Sequence, residues 1–241
     1  MTIKIGIFGA GKLAHAIVEE EVEASNVNEF FVVWMVDKGE MIPDSDIDVA
    51  IDASSADAVE SHIDWAIRKE IPFVIATTGW DITDLAARIG EKTGVLVSPN
   101  FSFAVAFMQR IASQLARFAD WYSDGEIAIF EHHHSAKKDS PSGTAKALAR
   151  AIVSSSTRYT GWSASGVENF VKDKIPIASL RAGTETGVHE ILFDAPHEQF
   201  SMTHRARDRR VFAAGALKAA QWIIGRKGLF GMEDVLNDLF S

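Results

Sequence analysis

Ile3-Lys4-Ile5-Gly6-Ile7-Phe8-Gly9-Ala10-Gly11-Lys12-Leu13-Ala14 is the stretch that decides the fold. An apolar run ends in two spaced glycines, and Leu13, Ala16 and Ile17 then follow at helical spacing. This predicts a strand from Ile3 to Phe8, a turn over Gly9 to Gly11, and a helix from Leu13 to Val22. In such a unit the first glycine makes the tight turn and the second lets backbone approach a ligand. The third small residue, here Ala14, lets the helix pack close to the strand. The helix N-terminus then presents N–H groups to an anion. The spacing Gly-x-Gly-x-x-Ala is that of a dinucleotide fingerprint. Asp37 ends the next apolar run, Phe30 to Val36, about twenty residues further on, where an acid accepts hydrogen bonds from the ribose hydroxyls. Asp37 favours NADH. Lys38 beside it and Lys12 in the turn are cations suited to a 2′-phosphate, so NADH and NADPH both remain open as the cofactor.

Outward from this unit the alternation continues. Strands are expected at Val49 to Ile51, Phe73 to Ala76 and Val95 to Val97, with helices over Ala56 to Lys69 and Ile82 to Lys92. Nearly continuous apolar strands between helices predict a doubly wound parallel sheet of the Rossmann type, an α/β fold. After Asn100 the pattern changes. Phe103 to Phe118 reads as a helix and Glu126 to His134 as an alternating strand. A further helix is expected from Pro141, with Ser140 as N-cap. The polar segment Ser154 to Lys174 reads as mostly loop. Strand-like pieces at Ile177 to Arg181, His189 to Asp194 and Gln199 to Ala206 suggest a mixed or antiparallel sheet in a second, α+β domain. Phe212 to Ile224 and Met232 to Phe240 close the chain as helices. The expected organisation is therefore residues 1–102 plus 211–241 as the dinucleotide-binding domain and 103–210 as the second domain.

Composition narrows the function. The 241 residues are 47% hydrophobic and 24% charged, ordinary for a globular chain. A net charge of −9 argues against nucleic acid as a partner, since phosphate neutralisation needs a basic surface. The absence of cysteine excludes disulfides, thiolate metal sites and cysteine nucleophiles. No apolar stretch reaches membrane-spanning length, and Met1 to Ile5 runs into the first strand without signal-peptide architecture, so a cytoplasmic location is expected.

Two strand ends add candidate cofactor contacts. Ala76-Thr77-Thr78-Gly79 and Ser98-Pro99-Asn100-Phe101 follow apolar strands, and ligands bind at the carboxyl ends of such strands. Ordinary turn chemistry accounts for either equally well on residues alone.

The chemistry concentrates in Glu131-His132-His133-His134-Ser135-Ala136-Lys137-Lys138-Asp139-Ser140-Pro141-Ser142-Gly143-Thr144-Ala145. On a strand His133 shares a face with Ile127 and Ile129, while His132 and His134 share the other. His133 is therefore a candidate proton donor beside an apolar wall. Lys137 offers a second donor or a positive charge, and Ser142-Gly143-Thr144 places helix N–H groups where a carboxylate fits. A solvated basic loop accounts for Lys137 and Lys138 taken alone, but not for the histidines beside Pro-Ser-Gly-Thr. No metal site is expected, because only His132 and His134 share a face and no third ligand is spaced for it.

Glu131-x-His133-His134-x-x-Lys137-x-Asp139-x-Pro141-Ser142-Gly143-Thr144-Ala145 resembles the signature of the 4-hydroxy-tetrahydrodipicolinate reductase (dihydrodipicolinate reductase) family. The resemblance extends to Ala76 to Gly79, Pro99 to Ser102, Arg181 to Gly183, Thr203-His204, Phe212 to Ala216 and Gly228 to Leu236. It implies NAD(P)H-dependent reduction of a small cyclic dicarboxylate, with loss of water, in lysine biosynthesis through diaminopimelate. It further implies that His133 and Lys137 handle protons and that His134, Gly143 and Thr144 hold the substrate carboxylates. Gly9, Ala10, Gly11, Lys12, Leu13, Asp37, Lys38, Ala76, Thr77, Thr78, Ser98, Pro99, Asn100 and Phe101 would form the cofactor site. The second domain would bind substrate and build a homotetramer. The chain departs from the family pattern at Lys12-Leu13-Ala14, which lacks an arginine suited to a 2′-phosphate. It also departs at Ala76, Ser98, and Val188 in Gly187-Val188-His189. A dehydrogenase of the aspartate type would share the cofactor turn but not the His133–Thr144 run. A sensor without turnover would be expected to have lost His133 or Lys137.

Overall fold

The computed structural model describes residues 2–23, 29–122, 124–164 and 171–241. It divides into two compact units, Met1–Phe103 with Arg209–Ser241, and Ala104–Asp208.

The first unit is built on a six-stranded sheet. Its strands are β1 (Ile3–Phe8), β2 (Phe30–Val36), β3 (Val49–Asp52), β4 (Phe73–Ile75), β5 (Gly94–Val97) and β11 (Gly228–Phe230). The order is β11-β5-β4-β3-β1-β2, and every neighbouring pair is parallel. Both faces are covered, as apolar strands without alternation require. One face packs Phe8, Ala50, Phe73 and Val95 with Val59, Ile63 and Ala66 of α2 (Val59–Lys69) and with Leu85 and Ile89 of α3 (Leu85–Ile89). Their strand neighbours Ile7, Ile51, Val74 and Leu96 are fully buried as well, by the strand period on the opposite face. There α6 (Arg210–Ile223) lies against β3, β4 and β5 and against α1 (Lys12–Glu23). Gly215 lets α6 come that close: a Cβ there would lie 1.8 Å from the Phe101 carbonyl oxygen.

Several local expectations change in this unit; α2 starts at Val59 rather than Ala56, and α6 at Arg210 rather than Phe212. The helix expected over Ile82 to Lys92 is only Leu85–Ile89. The Asp81 carboxylate accepts from the Thr83 N–H and hydroxyl, Asp84 is left-handed at φ 62°, and Gly90 ends the helix at φ 53°. These local side-chain bonds outcompete the helix at its start. The strand β11 is a further difference. It pairs parallel with β5, and three residues are too few to show a period. The helix α7 (Met232–Leu239) then closes the chain, one residue shorter than expected.

The second unit carries a mixed five-stranded sheet in the order β10-β9-β6-β8-β7. Its strands are β6 (Glu126–His133), β7 (Gly161–Ala164), β8 (Lys174–Arg181), β9 (Gly187–Ala195) and β10 (Glu198–Ala206). β9 runs antiparallel to its neighbours β10 and β6, whereas β6, β8 and β7 are parallel. The helices α4 (Phe103–Trp121) and α5 (Gly143–Ser155) bury one face of the sheet. Met108, Ala112 and Leu115 of α4 and Leu148 and Ile152 of α5 pack there on Ile127, Ile129, Ile175, Ile177 and Ile191. Each such side chain removed from water contributes on the order of 1.5–3 kcal/mol.

The stretch Ser154 to Lys174 is not mostly loop. It contains β7, paired with β8, and Ser155 still belongs to α5; residues 165–170 lie outside those described. The start of α5 also moves. Its N-cap is Ser142, not Ser140, and its first residue is Gly143, not Pro141. Both serines suit a cap, and the tie is broken by tertiary contacts. Ser142 N–H donates to the buried Glu131 carboxylate, while its hydroxyl accepts from Ala145 N–H. The Ser140–Pro141 peptide bond is cis.

Candidate active site

The turn after β1 behaves as its spacing demands. Gly9 has φ 101°, and a Cβ there would lie 2.4 Å from the Ala53 carbonyl oxygen, so only glycine fits. Gly11 differs. A Cβ there would meet nothing nearer than that same oxygen at 4.0 Å, so the protein's own packing does not require this glycine. The space it leaves open is where backbone can approach a ligand.

Two cavities of the first unit flank this turn. One, of about 380 Å³, is lined by Gly9, Ala10, Gly11, Asp37, Lys38, Ala53, Ser54, Ser55 and His62, among others. The other, of about 260 Å³, is lined by Lys12, Leu13, Ala16, Ala76, Pro99, Asn100, Phe101, Arg209 and Phe212. Asp37 is exposed at the end of β2, where its carboxylate accepts from Lys38 N–H. Of the predicted cofactor residues, Thr77, Thr78 and Ser98 line neither cavity. Thr77 is buried, and its hydroxyl donates to Asp52 and accepts from Ser54 N–H. The Ser98 hydroxyl donates to the Asn100 carbonyl and accepts from Asn100 N–H. Both hydroxyls thus hold loop backbone in place. Thr78 is exposed.

Sequence patterns missed Asp52 and its partners. This carboxylate is fully buried at the end of β3. It accepts from the Ser54 N–H and hydroxyl and from Thr77, and lies 2.6 Å from His62 Nδ1. The His62 ring stacks on Phe8 with centroids 4.0 Å apart. The signal was present, since Asp52 ends β3 as Asp37 ends β2. Arg209 had no such signal; it reaches its cavity from the start of α6.

In the second unit β6 places Ile127, Ile129, Glu131 and His133 on the buried face by strict alternation. Glu131 is fully buried, and His133 is 7% exposed. His133 Nδ1 lies 2.7 Å from Glu131 Oε2, while Arg181 Nη2 donates to Glu131 Oε1 at 2.7 Å. Arg181 is His133's register partner on β8 and also donates to the Asp139 carbonyl. One carboxylate thus joins the His133 ring, the Arg181 guanidinium and the Ser142 N–H at the start of α5. Burial opposes ionisation of Glu131. Hydrogen bonds from Arg181, Ser179 and Ser142 outweigh it, and the carboxyl titrates below its ordinary range.

Burial lowers the His133 pKa; Glu131 works in the opposite direction, and the charges of Lys137 and Arg181 add to the lowering. Beyond it His189, 5% exposed, packs edge-on with ring centroids 5.0 Å apart, its Nε2 3.1 Å from the Ser142 hydroxyl. Burial, helped by the neighbouring His133, lowers the His189 pKa to about 4. Glu131, His133 and His189 bring ligand-capable atoms within 4.8 Å of one another. This set is distinct from the His132–His134 pair weighed from the sequence, and Arg181 already occupies Glu131. Gly187 matters by omission. A Cβ there would lie 3.0 Å from His133 Nε2 and cover it.

The remaining predicted residues surround this network. The strand ends at His133, so His134 lies just beyond it, its N–H bonded to the Glu185 carbonyl. The His132 ring is tied to the Ala182 carbonyl. Lys137 Nζ pairs with Asp139 Oδ1 at 2.7 Å and is mostly shielded. Gly143 opens α5 with an exposed backbone and nothing within 4 Å of where a Cβ would sit, and Thr144 follows it in the first turn. A buried imidazole with one shielded face, a nearby ammonium and an open helix start can donate a proton and hold carboxylates.

Comparison with known proteins agrees with this assembly. Residues 3–101 match the family model described as dihydrodipicolinate reductase, N-terminus, and residues 104–236 match that of the C-terminus. The 4-hydroxy-tetrahydrodipicolinate reductase of Christiangramia forsetii is 32% identical, covering 99% of this chain and 100% of the relative. That of Brachyspira hyodysenteriae is 33% identical, covering 97% and 100%. Among solved structures, dipicolinate-bound dihydrodipicolinate reductase from Paenisporosarcina sp. TG-14 superposes with TM-score 0.81 at 25% identity, over 98% of this chain and 100% of that one. A chain with this doubly wound sheet, this mixed second sheet and both family models in sequence belongs to the dihydrodipicolinate reductase family.

Proposed function

We propose that the chain reduces 4-hydroxy-tetrahydrodipicolinate to tetrahydrodipicolinate, with release of water, in the diaminopimelate route to lysine. The observation that carries this reading is the Arg181–Glu131–His133 network joined to the start of α5. A bound NADH or NADPH supplies hydride, and the cavities around Gly9, Gly11 and Asp37 suit it. The space beside Gly11 would take the pyrophosphate, and the Asp37 carboxylate would accept hydrogen bonds from the ribose hydroxyls.

The second unit handles protons and binding. The hydroxyl leaves as water with a proton from the neighbouring ring carbon, which leaves a C=C bond conjugated with the ring imine. Hydride would then add at the carbon that carried the hydroxyl, and His133 returns a proton to the neighbouring carbon, while Glu131 at Nδ1 directs the imidazole and stabilises its charged form before transfer. Arg181 keeps Glu131 ionised and in place. His134, Gly143 and Thr144 hold the substrate carboxylates, with the Lys137 ammonium as counter-charge and companion proton donor. The unit Ala104–Asp208 is accordingly the substrate domain, and Met1–Phe103 with Arg209–Ser241 the cofactor domain.

The outer face of the second sheet supports assembly into a homotetramer. Phe130 and Leu180, 38% and 44% exposed, stand there with Ala178 on a face that neither α4 nor α5 covers. Light scattering at micromolar concentration should return four chains per particle; a monomer contradicts the assembly. No helix among the described residues is long and apolar enough to cross a membrane, and a cytoplasmic location fits an enzyme fed by dissolved cofactor.

The test of the activity is direct. Purified protein with freshly prepared 4-hydroxy-tetrahydrodipicolinate should oxidise NADH or NADPH, followed by absorbance. Protein that binds cofactor and leaves it unoxidised contradicts the proposal.

A further inference from the structure

One charged cluster beside the larger cavity has no part in the reaction described above. Lys38 follows Asp37 at the end of β2, and its Nζ is ion-paired with Asp57 Oδ2. The other oxygen of Asp57 accepts from the Ser55 hydroxyl. Asp37 N–H donates in turn to the Glu40 carboxylate. Lys38 and Ser55 line the cavity together with Asp37. This rim therefore carries three carboxylates and one ammonium, and the ammonium is already held.

The adenosine ribose of a dinucleotide lies against the acid that ends the second strand. A 2′-phosphate would therefore arrive at this rim with a charge of roughly −1.5 to −2. It needs a cation there, and Lys38 lines this cavity beside Asp37.

We propose that Asp57 sets the cofactor preference: by holding Lys38 it withholds the cation that a 2′-phosphate requires, and so favours NADH over NADPH. This rests on the reading of the cavity as a dinucleotide site. Asp57 is a positioning residue that acts through Lys38. Its hydrogen bonds to Lys38 and Ser55 lower its pKa to about 2, so it stays charged through the neutral range. Both partners are largely exposed, at 72% and 62% of the side chain. Exposed pairs are weak and screened by salt, so the preference set here amounts to about 2–5-fold.

Calorimetric titration of the full chain with ADP and with 2′,5′-ADP reads this without turnover. Asp57→Asn should improve the affinity for 2′,5′-ADP relative to ADP by about 2–5-fold. The gain should vanish when Lys38→Ala is added. An unchanged ratio in Asp57→Asn overturns the proposal, as does a gain that persists without Lys38. If wild-type protein binds neither nucleotide nor NADH, the dinucleotide reading itself fails and the inference falls with it. Nucleotide binding with an unchanged ratio sinks the inference alone.

Discussion

Around Gly9 and Gly11 the first unit offers backbone and open space, whereas around His133 the second offers ionisable side chains buried against one another. Gly9 is fixed by a carbonyl 2.4 Å from its missing Cβ, and Gly11 is free of any such contact. His133, Glu131 and His189 are each less than a tenth exposed, and the carboxylate among them is bonded to Arg181. A hydride carrier is a large ligand that brings its own chemistry, so its site needs shape, N–H groups and fixed charges at its rim but no group that exchanges a proton during the reaction. A proton donor must have its charge state set by the protein, which takes burial and a counter-charge. The two kinds of site should therefore break differently.

The largest effect is expected at His133. His133→Gln should lower kcat by about 10²–10⁴-fold while KM changes only a few-fold, because it removes a proton transfer and keeps the shape. Steady-state kinetics checks this, and unchanged turnover would remove His133 from the mechanism. In the first unit the contrast lies between two glycines. Gly9→Ala should cost roughly 2–4 kcal/mol in urea unfolding, through its positive φ and the Ala53 clash. Gly11→Ala should leave stability within about 0.5 kcal/mol yet weaken NADH binding at least about 10-fold, because the methyl enters the ligand's space. Equal stability loss at both positions would mean that the space beside Gly11 serves packing.

Glu131→Gln should reduce kcat/KM about 10–100-fold and alter its pH dependence. Glu131 favours protonated His133, so removing its charge lowers the His133 pKa further. The alkaline limb of the pH–rate profile should shift toward lower pH. A loss of activity with an unmoved limb would leave Glu131 a packing role only.

The last effect is on stability rather than turnover and concerns His189. Its pKa falls from 6.5 to about 4 on burial, so the unfolded chain binds the extra proton between those values. Stability should be fully present well above pH 6.5 and decline toward pH 4, by up to about 3 kcal/mol from this group. Urea midpoints measured across that range should flatten in His189→Gln. A wild-type profile that is already flat would contradict the burial argument.

Much of the first unit was legible because its signals are local. Gly9, Gly11 and Asp37 sit at strand ends that apolar runs announce, and the parallel order follows from alternation of strands and helices. β11 and β7 escaped notice because each is three or four residues long and is stabilised by a neighbour distant in sequence. In the second unit the period of two put Glu131 and His133 on one face. Arg181 could not be found that way, since it reaches Glu131 across the β6–β8 register from 50 residues away. The helix start was misplaced by two residues for the same reason. Ser140 and Ser142 are equivalent caps until the Glu131 carboxylate selects one.

The division of labour between the units is tested most directly by isotope transfer. Wild-type protein is supplied with 4-hydroxy-tetrahydrodipicolinate and with NADH deuterated at both C4 positions, and the product is read by mass spectrometry. The account predicts one deuterium per product molecule, at the carbon next to the one His133 protonates, with one NADH oxidised for each. Cofactor left unoxidised, or product formed without the label, would contradict it.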